Sequence, residues 1–231
     1  MYDIKYKNQT GISHGVYVVR RPDIPSPAEE VEMVKVAGRD GVLTGDRYLP
    51  PIEIRILMNF RETKAQWAGR YRDLKKWLSG TGKLVQVDDQ EYFYKVLLVR
   101  IEENERTIKK YGAFTACFTC DPYMYVVDGQ EEYAINDAAI LTNAYEESHP
   151  VYIVTGSGTR TLTVNGNTAT LTVNGTTVVD TERMITYTQA DHTLRNTRLT
   201  GNYEDLYLVP GANTISASAS GVTIIPNWRC R

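Results

Sequence analysis

From Ile52 to Phe60 the chain alternates without a slip. Ile52, Ile54, Ile56, Met58 and Phe60 are apolar, and Glu53, Arg55, Leu57 and Asn59 take the positions between them. A period of two puts the five apolar side chains on one face of a pleated strand. Such a strand needs neighbours and one covered face, so a sheet follows from this segment alone. Ile12 to Arg21 reads as another strand, ended by Pro22, Pro25 and Pro27. Val31 to Val36 reads as a third, with an apolar parity that slips between Met33 and Val34; a bulge or burial on both faces would produce that slip. Residues 38–46 (GRDGVLTGD) carry three glycines and read as a mobile loop.

A single helix is expected over about residues 63–79. Thr63 and Gln66 have the spacing of a capping box, and Trp67, Tyr71, Leu74 and Leu78 form one stripe at i, i+4, i+7 and i+11. Gly80 and Gly82 stop it. Strands are then expected at Leu84–Val87 and Tyr92–Ile101, about a turn at Asp88-Asp89. The charged loop EENERTIKK leads into a strand at Tyr111–Cys120, where Phe114, Ala116, Phe118 and Cys120 share one face and Thr115, Cys117 and Thr119 the other.

Residues 128–150 lose the alternation and read as a connector. Beyond them the texture changes to short Thr/Val/Leu strands. LTVNG occurs at Leu162–Gly166 and again at Leu171–Gly175, so Asn165-Gly166 and Asn174-Gly175 predict two successive tight hairpins. Strands at Tyr203–Val209, Asn213–Ala219 and Gly221–Ile225 complete a sandwich of roughly eight short strands. Charge divides the same way: 20 Lys+Arg against 17 Asp+Glu up to Tyr125, a net of +3, then 6 against 11, a net of −5, which together make the overall −2. The expected fold is mainly β: an N-terminal β domain with one helix over 1–137 and a C-terminal β-sandwich over 138–231.

The balanced charge and a pI near 6.0 give no footprint for nucleic acid or an anionic membrane surface. No run approaches the 18 or so apolar residues of a membrane span. The N-terminus lacks the apolar core of a signal peptide, so synthesis in the cytoplasm is expected. Three cysteines fit a reducing compartment.

Catalytic and metal constellations are sought in vain. Cys117 and Cys120 have zinc-ligand spacing, yet Cys230, His14, His149 and His192 are all distant in sequence. On a strand, i and i+3 also face opposite ways, which argues against a shared metal or a disulfide. Gly156-Ser157-Gly158 precedes a strand rather than the helix of a nucleophile elbow and reads as a turn or loop. Asp191-His192 reads as loop, and Asp88-Asp89 and Glu102-Glu103 as charges at strand ends. Asn8-Gln-Thr10 and Asn174-Gly-Thr176 are glycosylation acceptors only if the chain is secreted. No enzyme activity and no cofactor are expected. Sixteen tyrosines against four phenylalanines suit either contact surfaces or half-wet strand faces.

Three stretches resemble the distal tail protein (Dit) family of siphophages, chiefly those infecting Gram-positive bacteria. They are Tyr48-Leu-Pro-Pro-Ile-Glu-Ile through Phe60 with the helix ending Leu74-Lys-Lys-Trp-Leu-Ser-Gly-Thr-Gly-Lys-Leu84, the run Phe114-Thr-Ala-Cys-Phe-Thr-Cys-Asp-Pro-Tyr123, and the Leu-Thr-Val-Asn-Gly region ending Ile225-Pro-Asn-Trp-Arg229. The resemblance implies a galectin-like C-terminal sandwich and N-terminal domains that form a hexameric ring at the virion tail tip. It implies as partners other copies of the chain, the tail tube protein, the tail-associated protein and, in many phages, receptor-binding proteins. It supplies no catalytic residues. The alternative is a carbohydrate-binding module whose C-terminal sandwich recognises a cell-wall glycan through a Trp or Tyr platform; Trp228 is the one tryptophan there.

Overall fold

A computed structural model describes residues 2–108, 111–136, 138–218 and 220–231, excluding the side chains of 103–108. The chain is mostly β and divides into two compact units, Met1–Met124 with Arg231, and Tyr125–Cys230.

The first unit contains β1 (Ile4–Tyr6), β2 (Gln9–Thr10), β3 (Val16–Val18), β4 (Glu30–Val34), β5 (Leu43–Tyr48), β6 (Ile52–Arg61), the helix α1 (Trp67–Trp77), β7 (Gly82–Gln86), β8 (Asp89–Ile108) and β9, which runs from Tyr111 on to Val126. Its main sheet has the order β2-β1-β7-β8-β9-β6-β3. β6 lies antiparallel to β9 over ten pairs, from Ile52↔Cys120 to Arg61↔Tyr111. The alternation of β6 is realised as expected: Ile52, Ile54, Ile56, Met58 and Phe60 are buried together with Phe114, Ala116, Phe118 and Cys120. α1 covers this face with Trp67, Leu74 and Leu78, and Tyr71 packs at the edge of the cluster. Trp77, off the expected stripe, is buried too; its indole N–H donates to the Tyr6 carbonyl at 3.2 Å.

Several local expectations are corrected. Ile12–Arg21 is not one strand. A 3-10 turn at Ile12–His14 leaves only Val16–Val18 in the sheet, because the Gly11 carbonyl accepts from both His14 and Val16. The supposed loop 38–46 is half strand, since Leu43–Asp46 belong to β5. The parity slip between Met33 and Val34 has a register irregularity beside it, one step earlier, between Val31 and Met33, and burial on both faces is not its cause, since β4 is exposed apart from half-buried Val31. α1 starts four residues after Thr63, whose carbonyl accepts from the Trp67 N–H; half of the capping box is made, the Gln66 N–H donating to Thr63 Oγ1 at 3.4 Å, but the Gln66 side chain meets the Thr63 hydroxyl at 2.8 Å and the Thr63 N–H goes to Glu62. The strand expected to end at Ile101 continues through Ile108, so most of the charged loop is ladder; Lys109 and Lys110 lie outside the described residues. β1 and β2 carry no alternation long enough to read; β1 is held by pairing with β7, and β2 by pairing with β1.

The second unit is an eight-stranded sheet of β10 (Tyr133–Ile135), β11 (Ala138–Asn143), β12 (Val151–Val164), β13 (Asn167–Asp180), β14 (Ile185–Thr188), β15 (Leu199–Thr200), β16 (Gly211–Ala217) and β17 (Val222–Ile225); β18 (Arg229–Cys230) follows. The division falls at Met124/Tyr125 rather than at 137/138, because much of the expected connector is incorporated: β10 pairs with β17 and β11 with β16. Asn165-Gly166 forms its hairpin, with φ of 50° and 87°, between paired Val164 and Asn167. Asn174-Gly175 does not. It lies inside β13, opposite Gly156 and Ser157 of β12. The φ values of 143° at Gly156, 85° at Gly158 and 81° at Gly175 are absorbed as a bend in two strands that stay paired for 14 residues each. Gly156-Ser157-Gly158 is therefore strand, not a loop. Tyr203–Val209 is not a strand but a 3-10 turn at Glu204–Leu206 with one bridge, Ser148↔Leu208.

Candidate functional site

The first unit carries a structure that its own core does not support. β4 and β5 form a two-stranded sheet separate from the main one, and only Val31 in them is even half-buried. Met33 is 67% exposed, and Val34, Val36, Val42, Leu43 and Tyr48 are exposed as well. A lone hairpin is marginal in water, and large apolar residues on both strands gain nothing there. Local polar contacts stiffen its base: Tyr48 donates to Glu30 Oε2 at 2.5 Å, which raises the Tyr48 pKa, and Arg47 stands 3.4 Å from Glu29. The exposed apolar residues call for a partner surface.

Beside the root of this hairpin a groove of about 460 Å³ opens on the face of β6 away from α1. Leu57 and Thr115 contribute from the sheet, and Pro22, Ile24 and Pro25 from the segment before β4. Its charges are paired: Arg20 with Asp23 at 3.8 Å and Arg55 with Glu53 at 3.2 Å. Next to it, Glu53, Arg55, Arg100 and Glu102 close a four-membered circuit of ion pairs across β6 and β8; Arg100 reaches Glu53 at 3.2 Å and Glu102 at 3.1 Å, and Arg55 also meets Glu102. Exposed pairs of this kind contribute little individually. The circuit leaves this face locally neutral, with Glu102 as the partner of two arginines.

The residues singled out for chemistry stay apart. Cys120 belongs to the α1-facing core, whereas Cys117, opposite Arg55, faces the ion-pair circuit. Burial, helped by the Glu102 carboxylate, pushes the Cys117 thiol up to about 11; burial and then Asp121 push Cys120 up to about 12. His14 stacks on Trp77 with centroids 4.3 Å apart, and burial lowers its pKa. His149 stacks on Tyr207 at 3.9 Å, and His192 leans on Tyr187 at 5.6 Å. Asp191 accepts from the Thr193 N–H at 3.1 Å, not from His192. Among the described residues no three His, Cys, Asp or Glu converge as metal ligands. Trp228 is buried, its backbone and ring against Gly129, and so offers no platform for a sugar.

The thiol shifts give a pH prediction. Both folded pKa values lie above the 9.0 of an unfolded thiol. The stability they carry is complete below about pH 9 and is lost as pH rises through 11 and 12. The unfolding free energy should fall over that window, and a Cys117→Ala variant should fall less steeply. Equal slopes in a denaturant titration series would contradict the assignment.

The sequence matches no protein-family model and no curated protein. Solved structures do match. The Dit protein of phage SPP1, described as a paradigm of the hub adsorption apparatus in phages infecting Gram-positive bacteria, is 14% identical, with 97% of each chain covered and a TM-score of 0.66. The baseplate of phage P2 in its activated conformation with calcium contains a chain that is 11% identical, with 100% of this chain and 97% of that one covered and a TM-score of 0.54. The same baseplate with strontium gives 10% identity, 96% coverage of each chain and a TM-score of 0.53. At these identities the likeness concerns architecture, and it runs across both units: the chain has the fold of a Dit-type baseplate hub protein.

Proposed function

We propose that this protein is a structural component of a siphophage virion, a ring-forming hub at the distal end of the tail that joins the tail tube to the tail-associated and receptor-binding proteins. The observation that carries this reading is the unsupported β4–β5 hairpin on a Dit-type hub fold. An arm with apolar side chains exposed on both strands, beside a groove on the same unit, supplies the two different patches of a head-to-tail contact. Such contacts close into a ring when the rotation divides a full turn. The sixfold number comes from the family resemblance. The first unit builds the ring, the second projects from it, and the protein acts by assembly, not by catalysis. Its place is the tail tip, after synthesis in the cytoplasm of the host bacterium.

Light scattering of concentrated protein, alone and with neighbouring tail proteins, should approach six times the 26.1 kDa chain mass. Negative-stain images should show annuli with a central channel. A chain that stays monomeric under both conditions would refute the reading. The glycan-binding alternative loses its tryptophan platform with Trp228 buried, so the isolated second unit should show no affinity on a cell-wall glycan array.

A further inference from the structure

We infer that Arg160 and Arg198 of the second unit form a binding site for a phosphate group, a role that goes beyond the hub reading and does not rest on ring formation. It begins from a break in the pattern of β12. Tyr152, Val154, Leu162 and Val164 share one face of that strand, and all four are buried. Arg160 occupies the same face, two residues before Leu162 and opposite buried Leu171. It is the only charged residue from Val151 to Val179. A charge set into an otherwise apolar row breaks the local rule, and such breaks fall preferentially at functional positions.

The fold makes room for this side chain and gives it no counter-charge. A Cβ at residue 156 would stand 2.8 Å from Arg160 Nη2, so the guanidinium lies where only a glycine leaves space for it. The Arg160 Nε is shielded from water and has no hydrogen-bond partner, and among the described residues no carboxylate pairs with the guanidinium. Half-burying a cation in this way is costly. Acidic side chains are not scarce: from Val126 onward they outnumber basic ones by 11 to 6. Yet Asp180 accepts from the Arg183 N–H, Asp191 from the Thr193 N–H and Asp205 from the Asn202 amide. The anion that Arg160 calls for therefore comes from outside the chain.

A second arginine reaches the same face. Arg198, half-buried at the end of the 3-10 turn Asn196–Arg198, donates to Thr177 Oγ1 at 3.5 Å and has no carboxylate partner among the described residues. Thr177 pairs with Val154, and Gly175 with Gly156. The points where the two guanidinium groups touch the sheet are thus two residues apart along the ribbon, about 7 Å. Gly158 and Gly175 have nothing within 4 Å of a built Cβ, which leaves open space beside them. Two planar forks at this spacing suit one tetrahedral oxyanion, because phosphate can offer a pair of oxygens to each, whereas a carboxylate has oxygens for a single fork.

Calorimetric titration of the full chain with inorganic phosphate, at an ionic strength held constant with sodium chloride, tests the site. Binding at one phosphate per chain is expected. Arg160→Gln and Arg198→Gln should each weaken it by about tenfold or more, equivalent to about 1.4 kcal/mol. Arg195→Gln, which removes the arginine beside Asp191, should bind like the parent. Thermal unfolding gives a second readout that does not depend on a fragile variant. Arg160→Met should raise the melting temperature in phosphate-free buffer, since it removes an unpaired charge, and phosphate should then stabilise the parent but not the variant. Dimethyl phosphate separates the two sources of the group. Affinity equal to that of inorganic phosphate assigns the site to a phosphodiester linkage, and lost affinity assigns it to a free or terminal phosphate. No binding of either probe, or equal affinity in the parent and in both glutamine variants, would overturn the site. Neither result touches the ring reading, which is scored by mass and by images.

Discussion

Leu74→Ala should destabilise the first unit by about 2–5 kcal/mol, the range for truncating a fully buried leucine. Leu74 is 0% exposed in the middle of α1 and sits in the cluster with Ile54, Ile56, Phe114 and Phe118. Removing its isopropyl group withdraws apolar area from burial and leaves a void, which an antiparallel pairing of ten residues and a helix anchored by Trp67 and Trp77 cannot readily collapse into. Arg72→Ala, on the exposed side of the same helix, should change stability by less than about 0.5 kcal/mol. Lys75 is a poorer control than its place off the stripe suggests, because its ammonium stands 4.6 Å from the Tyr71 ring centroid. Urea titrations of the three proteins decide the matter. Equal losses at Leu74 and Arg72 would mean that the helix buries a different face.

Gly129→Ala should cost the second unit about 1–3 kcal/mol, the usual penalty for an added methyl in a filled site, or more. A Cβ at residue 129 would stand 2.7 Å from the Trp228 backbone nitrogen and 2.9 Å from both its Cβ and its Cδ1. The nearest obstacle is a backbone atom, and the Trp228 Cβ is fixed to that same backbone. Asn227 N–H donates to the Gly129 carbonyl at 2.8 Å, and Val126 N–H to the Trp228 carbonyl at 2.9 Å, so the two segments are tied where they would have to part. Gly69, with nothing within 4 Å of a built Cβ and a place inside α1, gives the opposite sign: Gly69→Ala should stabilise, by up to about 1 kcal/mol of helix propensity. Calorimetry should show the Gly129→Ala loss in the transition of the second unit. A variant as stable as the parent would mean that Trp228 is free to move and would return it to consideration as a contact residue.

Some of this protein was settled by local pattern alone. The period-two run of β6, the helical stripe from Trp67 to Leu78 and the Asn165-Gly166 turn each contain their own answer, because periodicity and a φ > 0 pair are properties of a few adjacent residues. The separation of Cys117 from Cys120 follows from the same pleat, and it survives as a difference between the α1-facing core and the ion-pair face. Other features depended on partners distant in sequence. Asn174-Gly175 has the same local chemistry as Asn165-Gly166, yet it becomes a bend, because Gly156 and Gly158 on the facing strand can deform with it. Residues 128–150 look like a connector until Tyr133–Ile135 find β17 and Ala138–Asn143 find β16. The arm was the least legible. The slip at Met33 and the glycines at 38, 41 and 45 marked irregularity, and no local signal could tell a mobile loop from a paired hairpin with exposed apolar strands. That distinction belongs to tertiary structure, since exposure is decided by what the rest of the chain leaves uncovered.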